Sequence, residues 1–462
     1  MIKRLINYLT HYIPRGSAVR HVAILVSGTA MGQIAVVAAS PIVTRLYTPE
    51  EFGVLGVYIA LLGIIGVIAG LRYEFAIPLP KSIIGAANLL ALSLVCVVIT
   101  SALLTSFIFI FYQQIPCWLH TPAIATYLWI LPIGVFLTGL FQSFNYWAIR
   151  RKNFSGIALT SVQQGVGGAA AQLVLGYYGF GATGLITGQI IGQCAGLSAL
   201  VKGAYINDKV QLKKLSWQRI TLMAKRYSRF PKYTTWQAMA NTSSAMLPLI
   251  LFASLLSPAI AGLYMLAQRT LSMPLSLVGR SIGQVFHSRA AEAYHEGTLD
   301  QLTLKAFQRL LRVGLGPLIF IGVLAPDLFA LFFGEKWRQS GIYAQWMVPW
   351  LVAQFVVSPL SIVSSVTGHQ VGELVSQIIF VVVRIGALLF GTIIVGKNMA
   401  IEFFAVSGLL VYTGFFIWMM LLLKITFSRV VNEAWPALRW GSLLLLASLL
   451  IKYIIMTVGQ NP

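Results

Sequence analysis

Long apolar runs recur from one end of the chain to the other, each broken by a short polar or Gly/Pro-containing stretch. A run of about 20 residues, at 1.5 Å of rise per helical residue, matches the ~30 Å hydrocarbon core of a bilayer. The pattern predicts thirteen spans, at residues 22–44, 54–76, 83–112, 123–148, 156–178, 181–203, 232–255, 258–280, 312–333, 342–366, 374–395, 401–423 and 440–458. The last is short and carries Lys452. The predicted class is an all-α integral membrane protein.

Composition strengthens this. The 462 residues are 58% hydrophobic and 10% charged, against about 25% charged for an ordinary soluble domain. Such a chain cannot cover itself with polar groups in water, whereas in lipid its apolar side chains face outward without cost. The net charge is +21, from 33 Lys and Arg against 12 Asp and Glu. In a soluble protein that excess would point to nucleic acid, but no module or aromatic-basic interleaving accompanies it. It fits the cytoplasmic loops of a membrane protein instead. With the N-terminus placed inside, only Arg45, Lys336, Arg338 and Lys397 fall in outer loops, and Arg269, Arg384 and Lys452 fall within spans. The other 26 of the 33 fall inside, which predicts a cytoplasmic N-terminus. The amphipathic stretch up to Arg20, interrupted by Pro14 and Arg15, has no signal-peptide pattern, and the first span is expected to direct insertion.

The outer loops are short and hold no domain for chemistry. The longest stretch between spans, about 204–230, is basic and is expected to join two halves. An internal repeat supports this. Pro49 and Gly53 open the second span as Pro258 and Gly262 open the eighth, 209 residues later, with the same predicted direction across the membrane. Parallel repeats of this kind are related by an axis along the membrane normal. The expected architecture is a two-lobed bundle of 6+6 helices with an extra C-terminal helix. Residues 1–203 form the first lobe, 204–231 the connector, 232–424 the second lobe and 425–462 an amphipathic segment with the added span. In the sixth span, Gly184, Gly188, Gly192 and Gly196 form a four-residue stripe for close helix packing.

No nucleotide-binding GxxxxGK[ST], HExxH or GxSxG motif occurs, Cys96, Cys117 and Cys194 are isolated, and the six histidines lack metal spacing. No cofactor is expected. The informative residues are ionisable groups at membrane depth, where an arginine costs roughly 2.5–3.5 kcal/mol on insertion scales. Arg269 and Arg384 lie near the middle of their spans, while Asp327 is the one carboxylate well inside a span. Two guanidiniums with so little acid predict an anion site, and arginine matches phosphate oxygens in a bidentate manner. Arg72 and Glu74, at the inner end of the second span, are read as gate or coupling candidates or as a local ion pair, with Asp327 a further coupling candidate. Gln33, Asn88, Asn241 and Gln268 are candidates for a wet cavity, with interhelical hydrogen bonding the alternative for each.

Four stretches resemble one family. SGTAMGQIAVVAASPIVTRLYTPEEFGVLGVY from Ser27, LRYEFAIPLP (Leu71–Pro80), AGLYMLAQRTLSMPLSLVGRSIGQVF (Ala261–Phe286) and FGEKW (Phe333–Trp337) look like bacterial oligosaccharide flippases of the polysaccharide transporter type. These belong to the multidrug/oligosaccharidyl-lipid/polysaccharide exporter superfamily. The resemblance implies that an undecaprenyl-diphosphate-linked sugar repeat unit is moved to the outer leaflet for O-antigen, capsule or exopolysaccharide assembly. The two midplane arginines, Arg269 and Arg384, suit the headgroup of such a substrate, and Arg72 is a further substrate-binding candidate that could instead bind lipid headgroups. Membrane lipids, and the polymerase and chain-length proteins of such a pathway, are the expected partners; nucleic acid is not. The family commonly has twelve or fourteen helices, and a thirteenth span departs from that. The competing readings are an ion-coupled drug or small-molecule antiporter of the same superfamily, and a membrane glycan polymerase or ligase, which would need a larger outer loop.

Overall fold

A computed structural model describes residues 18–119, 121–212, 215–396 and 399–458. The amphipathic N-terminal stretch up to residue 17 lies outside them. Among the described residues the chain is helical and turn structure, with no strand. It divides into two compact units, Met1–Gly262 and Leu263–Pro462.

In the first unit, α1 (Ala18–Leu46), α2 (Pro49–Gly66), α3 (Ile83–Phe111), α4 (Leu131–Arg150), α5 (Phe154–Tyr177), α6 (Gly181–Leu212), α7 (Trp217–Arg226) and α8 (Thr235–Leu251) precede the first turn of α9 (Pro258–His295). Local sequence sets the starts. Thr48 and Glu51 cap α2 reciprocally, with Pro49 in the first turn. Ser82 and Asn153 accept N-terminal amides of α3 and α5. The second unit holds the rest of α9, then α10 (Leu299–Phe333), α11 (Arg338–Leu360), α12 (Gln370–Phe390), α13 (Ala400–Leu422) and α14 (Phe427–Val458).

Every predicted span falls on a helix. Eleven helices among the described residues are long and apolar enough to cross a membrane, and the expected spans at 156–178 and 258–280, on α5 and α9, are not among the eleven. α5 reads FSGIALTSVQQGVGGAAAQLVLGY and trades apolar bulk for small and polar residues. It does so because it packs tightly against both α1 and α6. In lipid, helices gain little from burying apolar surface, so close backbone approach through small residues drives association. The glycine stripe of α6 forms this contact. A side chain at Gly188 would meet Gln172, one at Gly192 would meet Gly168, and one at Gly196 would meet Thr160.

Two expectations change. The second span was expected over 54–76, but α2 ends at Gly66, and the chain continues through turns in which Leu71 and Arg72 have φ of 49° and 59°. The expected amphipathic segment and last span form one helix, α14, with Pro436 inside it. It lies along α10, where Gly316 faces Trp440 and Leu444 and Gly441 faces Leu315.

The repeated Pro-x-x-x-Gly motifs meet each other. A side chain at Gly53 would run into the carbonyl of Pro258, and one at Gly262 into the carbonyl of Pro49. The start of α2 and the start of α9 therefore cross at a reciprocal glycine contact.

One end of the first unit is tied together by polar bonds. Asp208, fully buried, accepts from the Trp147 indole at 3.0 Å and pairs with Arg151 at 3.0 Å. Arg150 donates to the carbonyls of Pro78 and Lys81, and Tyr73 donates to that of Ala224.

Candidate functional site

The second unit encloses a cavity of about 560 Å³, inside the range of roughly 300–1,000 Å³ common for small-molecule sites. α9 contributes Ser272, Ser276, Gln284 and His287; α11 contributes Gln354 and Ser358; the link to α12 and its first turn contribute Ser361, Ser365 and Glu373. Leu351, Phe355 and Ile362 supply an apolar wall. Gly279 and Gly283 keep the α9 side open, since side chains there would press on Phe355 and Pro359.

Arg269 stands at the head of this α9 surface. At about 100° per residue, Ser276, Gly283 and His287 lie within roughly 40° of its direction, and Ser272 follows it by one turn. It is half-buried and makes no ion pair and no hydrogen bond among the described residues. It is not among the residues that line the cavity, and no carboxylate among the described residues neutralises it.

Glu373 sits in the first turn of α12, where the helix dipole favours a carboxylate. Ser364 donates to its Oε2 at 2.5 Å and Ser365 at 3.5 Å. Oε1 has no partner among the described residues. Gln354 lies near the Tyr412 side chain.

Arg384 occupies a different setting from Arg269. It is 7% exposed, with its guanidinium carbon 3.8 Å from the Phe404 ring centroid, 4.0 Å from that of Trp350 and 5.0 Å from that of Phe380. Tyr264 and Tyr412 also lie beside it. The Nε and Nη2 donors of Arg384 and the Nε1 donor of Trp350 are buried without acceptors. No carboxylate pairs with it among the described residues. The two arginines expected on one headgroup thus lie in different settings, Arg269 on α9 and Arg384 inside an aromatic cage.

In the first unit, Glu74 is 1% exposed in a short 3-10 turn (Tyr73–Ala76) beyond α2. Neither of its oxygens has a hydrogen-bond partner in another residue. It lies over Gly70 beside Ser93, whose hydroxyl is taken by Ser143 at 2.8 Å. Burial pushes its carboxyl up to about 7, with Arg72 opposing weakly. Arg72 forms no ion pair with Glu74; it stacks on Phe75 at 4.7 Å and leaves Nε unpartnered. Left-handed backbone at Leu71 and Arg72 adds strain at the same place.

The remaining candidates separate. Asp327 is locked to Arg338 at 2.8 Å, which also holds Glu335, so it is a structural partner and not a free coupling group. Asn88 is fully buried and bridges the Ile84 carbonyl and the Ser216 amide, a structural role for a residue expected in a cavity. Gln33 is half-buried with Oε1 unpartnered, Gln268 is half-buried on α9, and Asn241 is exposed on α8. None of these four lines the cavity of the second unit. Sequence reasoning did not single out Glu373 or Gln354. The signal available was a cluster of serines, Ser358, Ser361, Ser364 and Ser365, ahead of a carboxylate at a span boundary.

The chain matches the family model described as polysaccharide biosynthesis protein over residues 42–341. It is 24% identical over 309 residues to the succinoglycan biosynthesis transport protein ExoT of Rhizobium meliloti (strain 1021), covering 65% of this chain and 59% of that relative's length. Its fold is similar to that of the lipid II flippase MurJ in an inward closed conformation, with TM-score 0.72 and 12% identity over 96% of this chain and 98% of the other. It is also similar to an inward-facing multidrug resistance MATE family transporter of the MOP superfamily, with TM-score 0.68 and 14% identity over 91% and 98%.

Proposed function

Because the chain belongs to the polysaccharide biosynthesis protein family, we propose that it is a flippase that moves a lipid-linked oligosaccharide from the cytoplasmic to the outer leaflet of a bacterial inner membrane. The lipid is undecaprenyl diphosphate and the glycan is one repeat unit of a surface polysaccharide, of the O-antigen, capsule or exopolysaccharide kind. The reading is supported by a relative named as a succinoglycan transport protein and a fold neighbour named as a lipid II flippase. The N-terminus is cytoplasmic, and polymerase and chain-length proteins act downstream of the flipped lipid.

The observation that carries the reading is Arg269. A guanidinium on α9, without an acid partner among the described residues and one turn from Ser272 of a hydroxyl-lined cavity, suits a diphosphate whose attached sugar enters that cavity. Arg384 is a second candidate for the headgroup. In the first unit, Arg72 lies at the cytoplasmic mouth and Glu74 is the coupling group, since a carboxyl titrating near neutral pH exchanges a proton as its surroundings change. Alternating access follows from the parallel repeat.

Reconstituted vesicles test this directly. A fluorescent undecaprenyl-diphosphate oligosaccharide should become accessible in the opposite leaflet with the wild-type protein. Arg269→Ala should slow this at least tenfold, and Arg269→Lys less. Export of cationic dyes without movement of the lipid would establish the antiporter reading instead.

A further inference from the structure

The cavity of the second unit carries more information than the presence of polar groups. Its carboxylate, Glu373, is not free to collapse onto a neighbour. Two serine hydroxyls hold one oxygen, and the other has no partner among the described residues. Gln354 of α11 lines the same cavity and lies near the Tyr412 side chain. A fixed carboxylate oxygen and an amide, ringed by serine hydroxyls and backed by an apolar wall, bind neighbouring sugar hydroxyls while the C–H face of the ring packs on hydrocarbon. The same carboxylate repels an acidic sugar, because two carboxylates in a site of low dielectric raise the cost of binding. The cationic group, Arg269, is thus on α9 and the anionic one, Glu373, on α12.

Resting on the flippase reading, we propose that this cavity is the receptor for the sugar directly attached to the diphosphate, and that Glu373 and Gln354 select a neutral or amino sugar there against a uronic acid. Glu373 accepts from a sugar hydroxyl through Oε1, and Gln354 contacts an adjacent hydroxyl.

Binding to the full-length protein in nanodiscs tests it, with defined probes: undecaprenyl diphosphate without sugar, and the same lipid carrying glucose, galactose, N-acetylglucosamine or glucuronic acid. At least one neutral-sugar lipid should bind roughly tenfold more tightly than the sugar-free lipid, the size of one hydrogen bond to a charged group. The glucuronyl lipid should show no such gain. Glu373→Gln and Gln354→Ala should erase the gain, and Glu373→Gln should improve glucuronyl binding. Arg269→Ala should weaken all five probes together. If no neutral sugar adds affinity, or the gain survives Glu373→Gln and Glu373→Ala in folded protein, the receptor assignment falls while the flippase reading stands. If the sugar-free diphosphate lipid itself does not bind, the flippase reading falls and the assignment with it. Thermal unfolding of each variant confirms that a loss is not a loss of fold.

Discussion

Arg384 has Trp350 and Phe404 within 4.0 Å of its guanidinium and no acid beside it. Cation–π contacts contribute on the order of 0.5–2 kcal/mol each when desolvated, yet buried donors without acceptors cost a comparable amount. If the arginine only filled space, an apolar replacement would serve as well. Arg384→Met should therefore keep the unfolding temperature within a few degrees of wild type while lowering lipid flipping tenfold or more. Parallel thermal and flipping assays separate the two roles, and unchanged flipping would make the cage purely structural. Glu74 offers a second residue-level test. Its carboxyl is raised from 4.5 to about 7, so the folded state resists its ionisation. The resulting destabilisation is absent below about 4.5, grows as pH rises, and is complete above about 7. Glu74→Gln should unfold at nearly the same temperature as wild type at pH 3.5 and at a higher temperature at pH 8.

At the scale of elements, packing depends on places where backbones touch. Gly192 of α6 lies against Gly168 of α5, so Gly192→Leu should lower the unfolding temperature by several degrees or prevent accumulation in the membrane. Element boundaries also mark what the sequence conveys and what it withholds. Apolar runs located the helices well, since lipid demands continuous backbone hydrogen bonding wherever the chain is apolar. They misplaced the end of α2, because Ile68 to Ile77 remain largely apolar while the backbone turns through left-handed Leu71 and Arg72. The scarcity of acids announced that Arg384 would lack a carboxylate. It could not announce three aromatic rings, which arrive from residues 350, 380 and 404. Glu373 was illegible for a similar reason: its meaning depends on Ser276 and Gln354, far away in sequence and close only once α9, α11 and α12 have packed.

For the whole molecule, the charge pattern makes a claim about orientation that surface chemistry can check. Cys117 is exposed in the short stretch between α3 and α4, a loop placed outside by the distribution of basic residues. A membrane-impermeant maleimide should label it in intact spheroplasts, and a cysteine introduced at Ser216 should react only after permeabilisation. With α14 as a thirteenth crossing, alkaline phosphatase fused to the C-terminus should be active. The opposite labelling pattern would invert the topology.

The reciprocal contact of Gly53 and Gly262 has a consequence for how such a chain could arise. Each copy of the motif presses its glycine on the other copy's proline carbonyl, so a half-turn exchanges the two and leaves the contact the same. That is the self-complementary geometry of a symmetric homodimer, here written into one polypeptide. A gene cut within the 204–231 stretch should accordingly yield two fragments that reassemble when co-expressed.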